Sequence, residues 1–142
     1  MKLVQHLLES KGGNIISIKP DASVLDAIVL MAEKGIGSLV VMTDGELRGI
    51  VTERDYARKV ILKGRASDKT PVADIMTSDV TTVTSAMTAN KCMELMTQIR
   101  CRHLPVVDDG ELVGMISIGD LVQAIIADQQ EEIEQLESYI SG

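Results

Sequence analysis

The feature that most constrains this chain is an internal repeat. When the sequence is compared with itself at an offset of 65 residues, residues 16–61 face residues 81–126 without a gap. Eleven of the 46 facing pairs are identical, where chance alone would give about three. A unit of this size cannot bury its apolar face by itself. We therefore expect two copies of one supersecondary unit that pack against each other.

Both copies predict the same element order, β-α-β-β-α. Ser23 and Thr88 precede apolar runs with helical spacing, where a hydroxyl can accept a hydrogen bond from an exposed helical N–H. Asp44-Gly45 and Asp109-Gly110 separate two apolar stretches, and Asp-Gly at such a point favours a two-residue hairpin turn. The predicted strands are 15–18, 39–42 and 47–51 in the first copy and 80–83, 104–107 and 112–117 in the second; the predicted helices are 24–34 and 54–62, then 89–99 and 120–127. The expected fold class is α+β, with the repeats related by a pseudo-twofold axis.

The chain divides into five predicted segments. These are an N-terminal helical extension (1–14), the first repeat (15–62), a linker (63–79), the second repeat (80–127) and an acidic C-terminal helix (128–142). Ile133, Leu136 and Ile140 form an apolar seam on the last helix. We expect this seam to pack on a partner subunit; packing back onto the body of the protein is the alternative.

Charge argues against a protein that coats nucleic acid. The net charge is −7 and the pI is about 4.8, whereas such binding depends on neutralising phosphates. The charge is uneven, since residues 52–69 sum to +3 and residues 128–142 to −5. A small anion could bind the basic segment, although a solvated helix face explains that charge equally well.

Other protein classes are disfavoured by residue types and spacing. No signal peptide opens the chain, and no apolar run approaches the roughly 18 residues of a membrane span, so we expect a cytoplasmic protein without a membrane partner. Cys92 and Cys101 are nine residues apart with no CxxC and no zinc-spaced His, which favours a buried thiol at Cys92 and no metal site.

A matching motif follows the last strand of each repeat. Residues 49–55 and 114–120 both read Gly, two aliphatic residues, a hydroxyl, two variable residues and Asp. The hydroxyl residues Thr52 and Ser117 can bond a ribose or phosphate oxygen, and a carboxylate can accept both hydroxyls of a ribose. The same spacing also forms a helix capping box. Its recurrence at matching points of a duplicated unit favours a ligand site.

The chain resembles the cystathionine-β-synthase (CBS) domain family, as a tandem pair. The resemblance covers residues 3–127 and rests on both Gly-to-Asp motifs, on residues 72–77 as the lead-in to the second repeat, and on residues 102–108. It implies two clefts between the repeats for adenosine derivatives such as AMP, ADP, ATP, NAD or S-adenosylmethionine. It also implies a disc-like homodimer.

The resemblance assigns a role to each matching position. Asp55 and Asp120 would hold ribose, and Thr52 and Ser117 would bond ribose or phosphate. The residues expected to enclose adenine are Val51 and Ile116 with Ser17, Ile18, Thr82 and Val83, and those expected near the phosphates or in the facing loops are Arg54, Arg102, His103, Pro105, Gly37 and Ser38. A packed loop imidazole is the alternative for His103.

The two copies differ at charged positions. The second has Arg102-His103 where the first has Gly37-Ser38, and the first has Arg54 where the second has Gly119. In the family, the Asp of one repeat is expected to share its ligand with the loop of the other. The Asp55 pocket would then prefer the more phosphorylated ligand.

The sequence favours a sensor over an enzyme. His6 and His103 are its two histidines, neither has an identifiable Ser or Cys partner, and the GxxxxGK[ST], HExxH and GxSxG motifs do not occur. We therefore expect a regulatory module without catalytic activity, acting in trans or through its dimer state. The alternative is a protein-interaction scaffold whose ligand pockets are vestigial.

Overall fold

The structure is a computed structural model and describes residues 2–12 and 15–141. Met1, Gly13 and Asn14 of the predicted N-terminal extension, and Gly142 of the predicted C-terminal helix, lie outside the described residues. The chain forms two compact units. The first-repeat unit comprises residues 15–81; the second-repeat unit comprises the N-terminal residues through 12 together with 82–141.

The elements of the first repeat occur in the predicted order, and those of the second do so from its first helix onward. They are α1 (Val4–Lys11), β1 (Ser17–Ile18), α2 (Val24–Lys34), β2 (Ser38–Thr43), β3 (Glu46–Thr52), α3 (Glu53–Tyr56), a π-helical turn (Ala57–Ile61), a 3₁₀ turn (Val72–Asp74), α4 (Ala89–Ile99), β4 (His103–Asp108), β5 (Glu111–Ser117) and α5 (Ile118–Ser141). The family fold predicted from the sequence, an α+β pair of repeats with an N-terminal and a long C-terminal helix, is confirmed.

The sheet of the first-repeat unit has the order β1-β2-β3, with β1 parallel to β2 and β2 antiparallel to β3. In the second-repeat unit β4 and β5 pair in the same antiparallel way. Val83 there makes an isolated parallel bridge with Val106, which matches the pairing of Ile18 with Val41 at the offset of 65.

The predicted strand 80–83 is therefore wrong in extent, because only Val83 pairs. In β1 a second residue, Ser17, lies opposite Val40. The equivalent partner of Thr82 would be Pro105, which has no N–H to donate to the ladder. The Pro105 carbonyl instead accepts from the Val83 N–H at 3.0 Å.

Both hairpins have the predicted two-residue turn. Asp44 and Gly45 have φ angles of 52° and 79°, and Asp109 and Gly110 have 51° and 79°. Positive φ at both central positions defines a type I′ turn, whose twist matches that of the flanking strands. The short-range prediction at these two sites is confirmed.

Helices α2 and α4 have the predicted bounds. Ser23 Oγ accepts from the Asp26 N–H and Thr88 Oγ1 from the Lys91 N–H, each at 3.1 Å. Each hydroxyl therefore satisfies a helical donor that would otherwise lack a partner. The predicted helix 54–62 differs, since α3 is a single α-helical turn continued by the π-helical turn.

Each unit has its own aliphatic core. That of the first-repeat unit is Val24, Ala27, Met31, Leu39, Val41, Val51, Val60, Val72 and Ile75, and that of the second-repeat unit is Val4, Leu7, Val83, Ala89, Cys92, Met96, Leu104, Val106, Ile116, Leu121 and Ala124. Cys92 is fully buried, as predicted, and burial raises the pKa of its thiol.

The segment that precedes each repeat packs with the other repeat. In the second-repeat unit the Val4 N–H donates to the Met87 carbonyl at 2.8 Å. In the first-repeat unit the Val72 N–H donates to the Ala22 carbonyl, also at 2.8 Å. Ala22 and Met87 are 65 residues apart, whereas Val4 and Val72 are 68 apart. Residues 2–8 and 70–76 are thus equivalent segments of the two repeats. The offset between them is 68 residues, whereas the offset in the rest of the repeat is 65.

Two glycines show how closely these segments approach the sheets. A Cβ at Gly49 would lie 2.7 Å from the Thr77 carbonyl oxygen and 2.9 Å from Met76 Sδ. A Cβ at the equivalent Gly114 would lie 2.6 Å from Leu8 Cδ2. Glycine at both positions allows the preceding segment to lie directly on β3 or β5.

The C-terminal helix is a single element. Residues 120–127 and 128–141 of the two predicted helices belong to one helix of 24 residues, α5. All of its residues from 129 to 141 are exposed, so the alternative that the tail packs back onto the body is wrong for these residues. In the part of the chain that the structure describes, no helix has both the length and the apolar character to span a bilayer.

Candidate functional site

Thr52 and Asp55 are bonded to each other in three ways. The Thr52 N–H donates to Asp55 Oδ2 at 3.0 Å, the Asp55 N–H donates to Thr52 Oγ1 at 3.1 Å, and the Thr52 hydroxyl donates to Asp55 Oδ2 at 3.1 Å. Thr52 ends β3 and is the N-cap of α3. The motif therefore forms the capping box that its spacing allowed.

Ser117 and Asp120 repeat this geometry at the junction of β5 and α5. The Ser117 N–H donates to Asp120 Oδ2 at 2.8 Å, and the Asp120 N–H donates to Ser117 Oγ at 3.2 Å. The two predicted motifs thus fold alike. Each carboxylate is fixed in position by the residue three places before it.

The residue that follows Thr52 or Ser117 is hydrogen-bonded to the residue directly before the first strand of the same hairpin. The Glu53 N–H donates to the Gly37 carbonyl at 3.1 Å, and the Ile118 N–H donates to the Arg102 carbonyl at 2.8 Å. Within each unit, the backbone of a predicted loop residue therefore lies beside the predicted carboxylate motif. Both Gly37 and Arg102 are positioned in this way.

A lysine lies beside each carboxylate, and the sequence did not single out either one. Lys59 Nζ is 3.2 Å from Asp55 Oδ1 and donates to the Ile75 carbonyl at 2.8 Å. The equivalent of Lys59 in the second repeat is Ala124, which cannot supply a charge. Lysine there comes from α1 instead.

Lys11 supplies the cation at the second motif. Its Nζ is 2.8 Å from Asp120 Oδ2 and donates to the Met115 carbonyl at 2.9 Å. The i,i+4 spacing of Asp55 and Lys59 was a readable signal for the first ion pair. No local pattern connects Lys11 to Asp120, because 109 residues separate them.

Opposing effects act on the Asp120 carboxyl. Burial, the largest effect, raises its pKa, but hydrogen bonds from Lys11 and Ser117 and the charge of Lys11 together bring the pKa below the ordinary value of 3.8. Asp120 is consequently ionised at neutral pH. An ionised carboxylate only accepts hydrogen bonds, so it suits a ligand that brings hydroxyl donors.

The other predicted site residues fall into three groups by exposure. Ser38, Val51, Val83, Pro105 and Ile116 are buried, whereas Ser17, Arg54, Thr82 and Arg102 are exposed and Ile18, Gly37 and His103 are half-buried. The side chains of Val51, Val83 and Ile116 belong to the cores. Any ligand contact from these three would involve their backbone groups.

Ser17 and Ile18 line an open groove of about 760 Å³ in the first-repeat unit. Its other lining residues come from the segment between β1 and α2, from α2 and from the first hairpin, including Met42 and Asp44. Asp55 does not line this groove, so the structure does not bring β1 and the carboxylate motif together there. Among residues 2–12 and 15–141, no three His, Cys, Asp or Glu side chains are grouped to hold a metal ion.

Comparison with known proteins gives consistent matches over most of the chain. The family model for the CBS domain matches residues 10–62 and 72–127. The mitochondrial CBS domain-containing protein CBSX3 of Arabidopsis thaliana is 42% identical, over 98% of this chain and 72% of that protein. A solved protein with CBS domains from Burkholderia ambifaria is 50% identical with a TM-score of 0.87, covering 90% of this chain and 96% of that one.

A more distant structure shares the fold. The CBS domain pair of protein MJ0100, solved in complex with 5′-methylthioadenosine and S-adenosyl-L-methionine, is 24% identical with a TM-score of 0.80, covering 90% of this chain and 98% of that one. Both repeats match the family model, and close relatives align over nearly the whole chain. This chain belongs to the CBS domain family and carries a tandem CBS pair.

Proposed function

We propose that this CBS pair is a regulatory module that binds an adenosine-containing ligand through Asp55 and Asp120. The observation that carries the proposal is the matched geometry of two partly buried carboxylates, each held by the N–H three residues before it and each beside a lysine. A helix cap alone does not require a lysine at both motifs, and the two lysines come from unrelated positions.

The chemistry of this arrangement fits a nucleotide. A carboxylate has about four acceptor positions, so it can receive the two hydroxyls of a ribose while it keeps the N–H bond that fixes it. Lys59 and Lys11 are both partly exposed. When the diol takes the place of the ammonium group at the carboxylate, the ammonium becomes available to a phosphate.

The family supports adenosine as the ligand class. The MJ0100 pair, of the same fold, was solved with two adenosine compounds, and 5′-methylthioadenosine has a ribose diol but no phosphate. The shared part is thus adenine with its ribose. Which of AMP, ADP, ATP, NAD or S-adenosylmethionine binds most tightly here is the first quantity to measure.

The test is isothermal titration of the full chain against those five compounds, followed by 2′,3′-dideoxy-AMP as a diol-free probe. We expect AMP to bind more tightly than the dideoxy compound to wild type, and this difference to shrink in Asp55→Ala and Asp120→Ala. Asp68→Ala is the matched control, since it removes an exposed carboxylate away from both motifs.

Two results would contradict the proposal. One is that none of the five compounds binds, which is what the scaffold alternative predicts. The other is that both Asp variants, shown to be folded, distinguish AMP from its dideoxy form as well as wild type does. Circular dichroism of each variant separates loss of the site from loss of the fold.

The regulatory output is proposed to be a change in a homodimer. A ligand can shift a dimer equilibrium only by binding its two states with different affinity. Sedimentation velocity of the chain with and without the tightest-binding compound measures this. An unchanged dimer constant would contradict the coupling without affecting the binding proposal.

A further inference from the structure

The two carboxylate motifs receive their lysines from different parts of the chain. Lys59 lies four residues after Asp55, so that ion pair joins residues of one continuous helical segment. Lys11 is the last residue of α1 and reaches Asp120 across 109 residues of sequence. A ligand that changes the surroundings of Asp120 therefore acts on a separate helix, whereas a ligand at Asp55 acts on the segment that already contains the carboxylate.

The last turn of α1 depends on Lys11 for its attachment. Val4 and Leu7 are buried in the core of the second-repeat unit, and Leu8 packs against that core. Residues 9–12 are exposed. Within the described chain, the hydrogen bonds from their side chains to other elements both come from Lys11. The helix is thus anchored by its buried residues, and its end is attached through one side chain.

Lys11 and a ribose would compete for the same carboxylate oxygen. Lys11 Nζ and the Ser117 N–H both donate to Asp120 Oδ2, each at 2.8 Å. An oxygen atom has two lone pairs, so a ribose hydroxyl can bond Oδ2 only when the ammonium group leaves it. The ammonium group would keep its bond to the Met115 carbonyl, at 2.9 Å, but would lose its anionic partner.

We propose that Lys11 makes the Asp120 motif sensitive to the charge of its ligand, and that the last turn of α1 is held or released accordingly. This inference rests on the proposed function. An adenosine ligand with a 5′-phosphate offers the displaced ammonium group a new anion, so the turn stays attached. An uncharged nucleoside offers none, so the turn is released. The two ligand classes therefore favour different states of one helix.

Calorimetry of the chain carrying Asp55→Ala tests the binding part, because that change weakens the first motif and leaves the second. The ligands are AMP and adenosine, which differ only in the phosphate. We expect AMP to bind about ten-fold more tightly than adenosine. Adding Lys11→Gln should reduce this ratio to about two or less, since AMP loses its cation and adenosine no longer competes with an ammonium group.

Lys34→Gln is the matched control for the loss of charge. Lys34 is an exposed lysine in the last turn of α2, as Lys11 is in the last turn of α1. In the same Asp55→Ala chain it should leave the ratio of the two affinities unchanged.

Hydrogen exchange of the wild-type chain tests the helix part and does not depend on any variant. The Gly12 N–H donates to the Leu8 carbonyl at 3.1 Å and reports on the last turn of α1. We expect it to exchange at least about three-fold faster with saturating adenosine than with saturating AMP. The Gly35 N–H, which closes α2 by donating to the Ala32 carbonyl, is the internal control and should exchange equally in both complexes.

Three results would overturn this inference and leave the proposed function in place. They are equal affinities of AMP and adenosine for the Asp55→Ala chain, a preference for AMP that survives Lys11→Gln, and equal exchange of Gly12 in the two complexes. Failure of both compounds to bind wild type would overturn the proposed function together with this inference.

Discussion

Lys11 and Asp120 are 109 residues apart in sequence, and their ammonium and carboxylate groups lie 2.8 Å apart. The contact ties the end of α1 to the start of α5. It also gives the second carboxylate motif the cation that the first receives from its own helix. Its contribution can be measured through pH.

Asp120→Asn should lower the free energy of unfolding by about 1 kcal/mol at neutral pH, from the lost ion pair and weakened cap. The pKa of Asp120 is lowered in the folded protein, so its stabilising effect is complete above the ordinary carboxyl value and is lost as the pH falls through the folded pKa. Urea unfolding of both proteins from pH 7 to pH 3 should show their curves converging in acid. A difference that stays constant over this range would exclude the ion pair as its source.

Gly49→Ala should be more destabilising than Gly114→Ala. The new Cβ at position 49 meets the backbone carbonyl of Thr77, which cannot move without its segment, whereas at position 114 it meets the flexible end of Leu8. We expect about 2 kcal/mol for the first and about 1 kcal/mol or less for the second, from overpacking. Thermal unfolding of the two variants in parallel makes this comparison. If Gly114→Ala were instead the more destabilising variant, residues 70–77 would be able to move away from the new Cβ more easily than α1 can.

Arg54→Gln should weaken the binding of ATP more than that of AMP. Arg54 is exposed beside Asp55 and Lys59, and glycine occupies the equivalent position 119. Loss of one charge-assisted phosphate contact should cost about ten-fold in affinity for ATP. Arg58→Gln, in the π-helical turn that continues α3 and also exposed, is the control in titration calorimetry. Equal losses for both nucleotides would remove the predicted preference of this site for longer phosphate chains.

Leu121→Ala and Ile133→Ala should differ sharply although both residues lie on α5. Leu121 is fully buried and Ile133 is 49% exposed. We expect the first change to cost about 3 kcal/mol through a cavity and the second less than about 0.5 kcal/mol. Urea denaturation provides both values. A large cost at Ile133 would mean that the seam is covered within the chain.

Much of the fold could be predicted because its signals are local. The hairpins at Asp44-Gly45 and Asp109-Gly110 depend on two adjacent residues, and the starts of α2 and α4 depend on one hydroxyl each. These features need no information from distant residues. Because the unit is repeated, each of these local signals occurs twice in the sequence.

The remaining features depend on distant pairings. The packing of α1 with the second repeat leaves no local pattern, and its resemblance to residues 70–76 appears only at an offset of 68. The strand at 80–83 failed because its partner Pro105 lacks an N–H. At the site, the capping geometry of both carboxylates was an alternative the spacing already allowed, but Lys11 could be identified only from the fold.

The packing of α1 also has a consequence for synthesis. Residues 15–81 are contiguous, so the first-repeat unit can form on the ribosome once they have emerged. The second-repeat unit needs Leu8 and Lys11, which are synthesised before the first repeat, and Gly114 and Asp120, which are synthesised after it. Closing such a long loop is slow, so α1 remains without its final contacts at least until residue 120 has emerged from the ribosome.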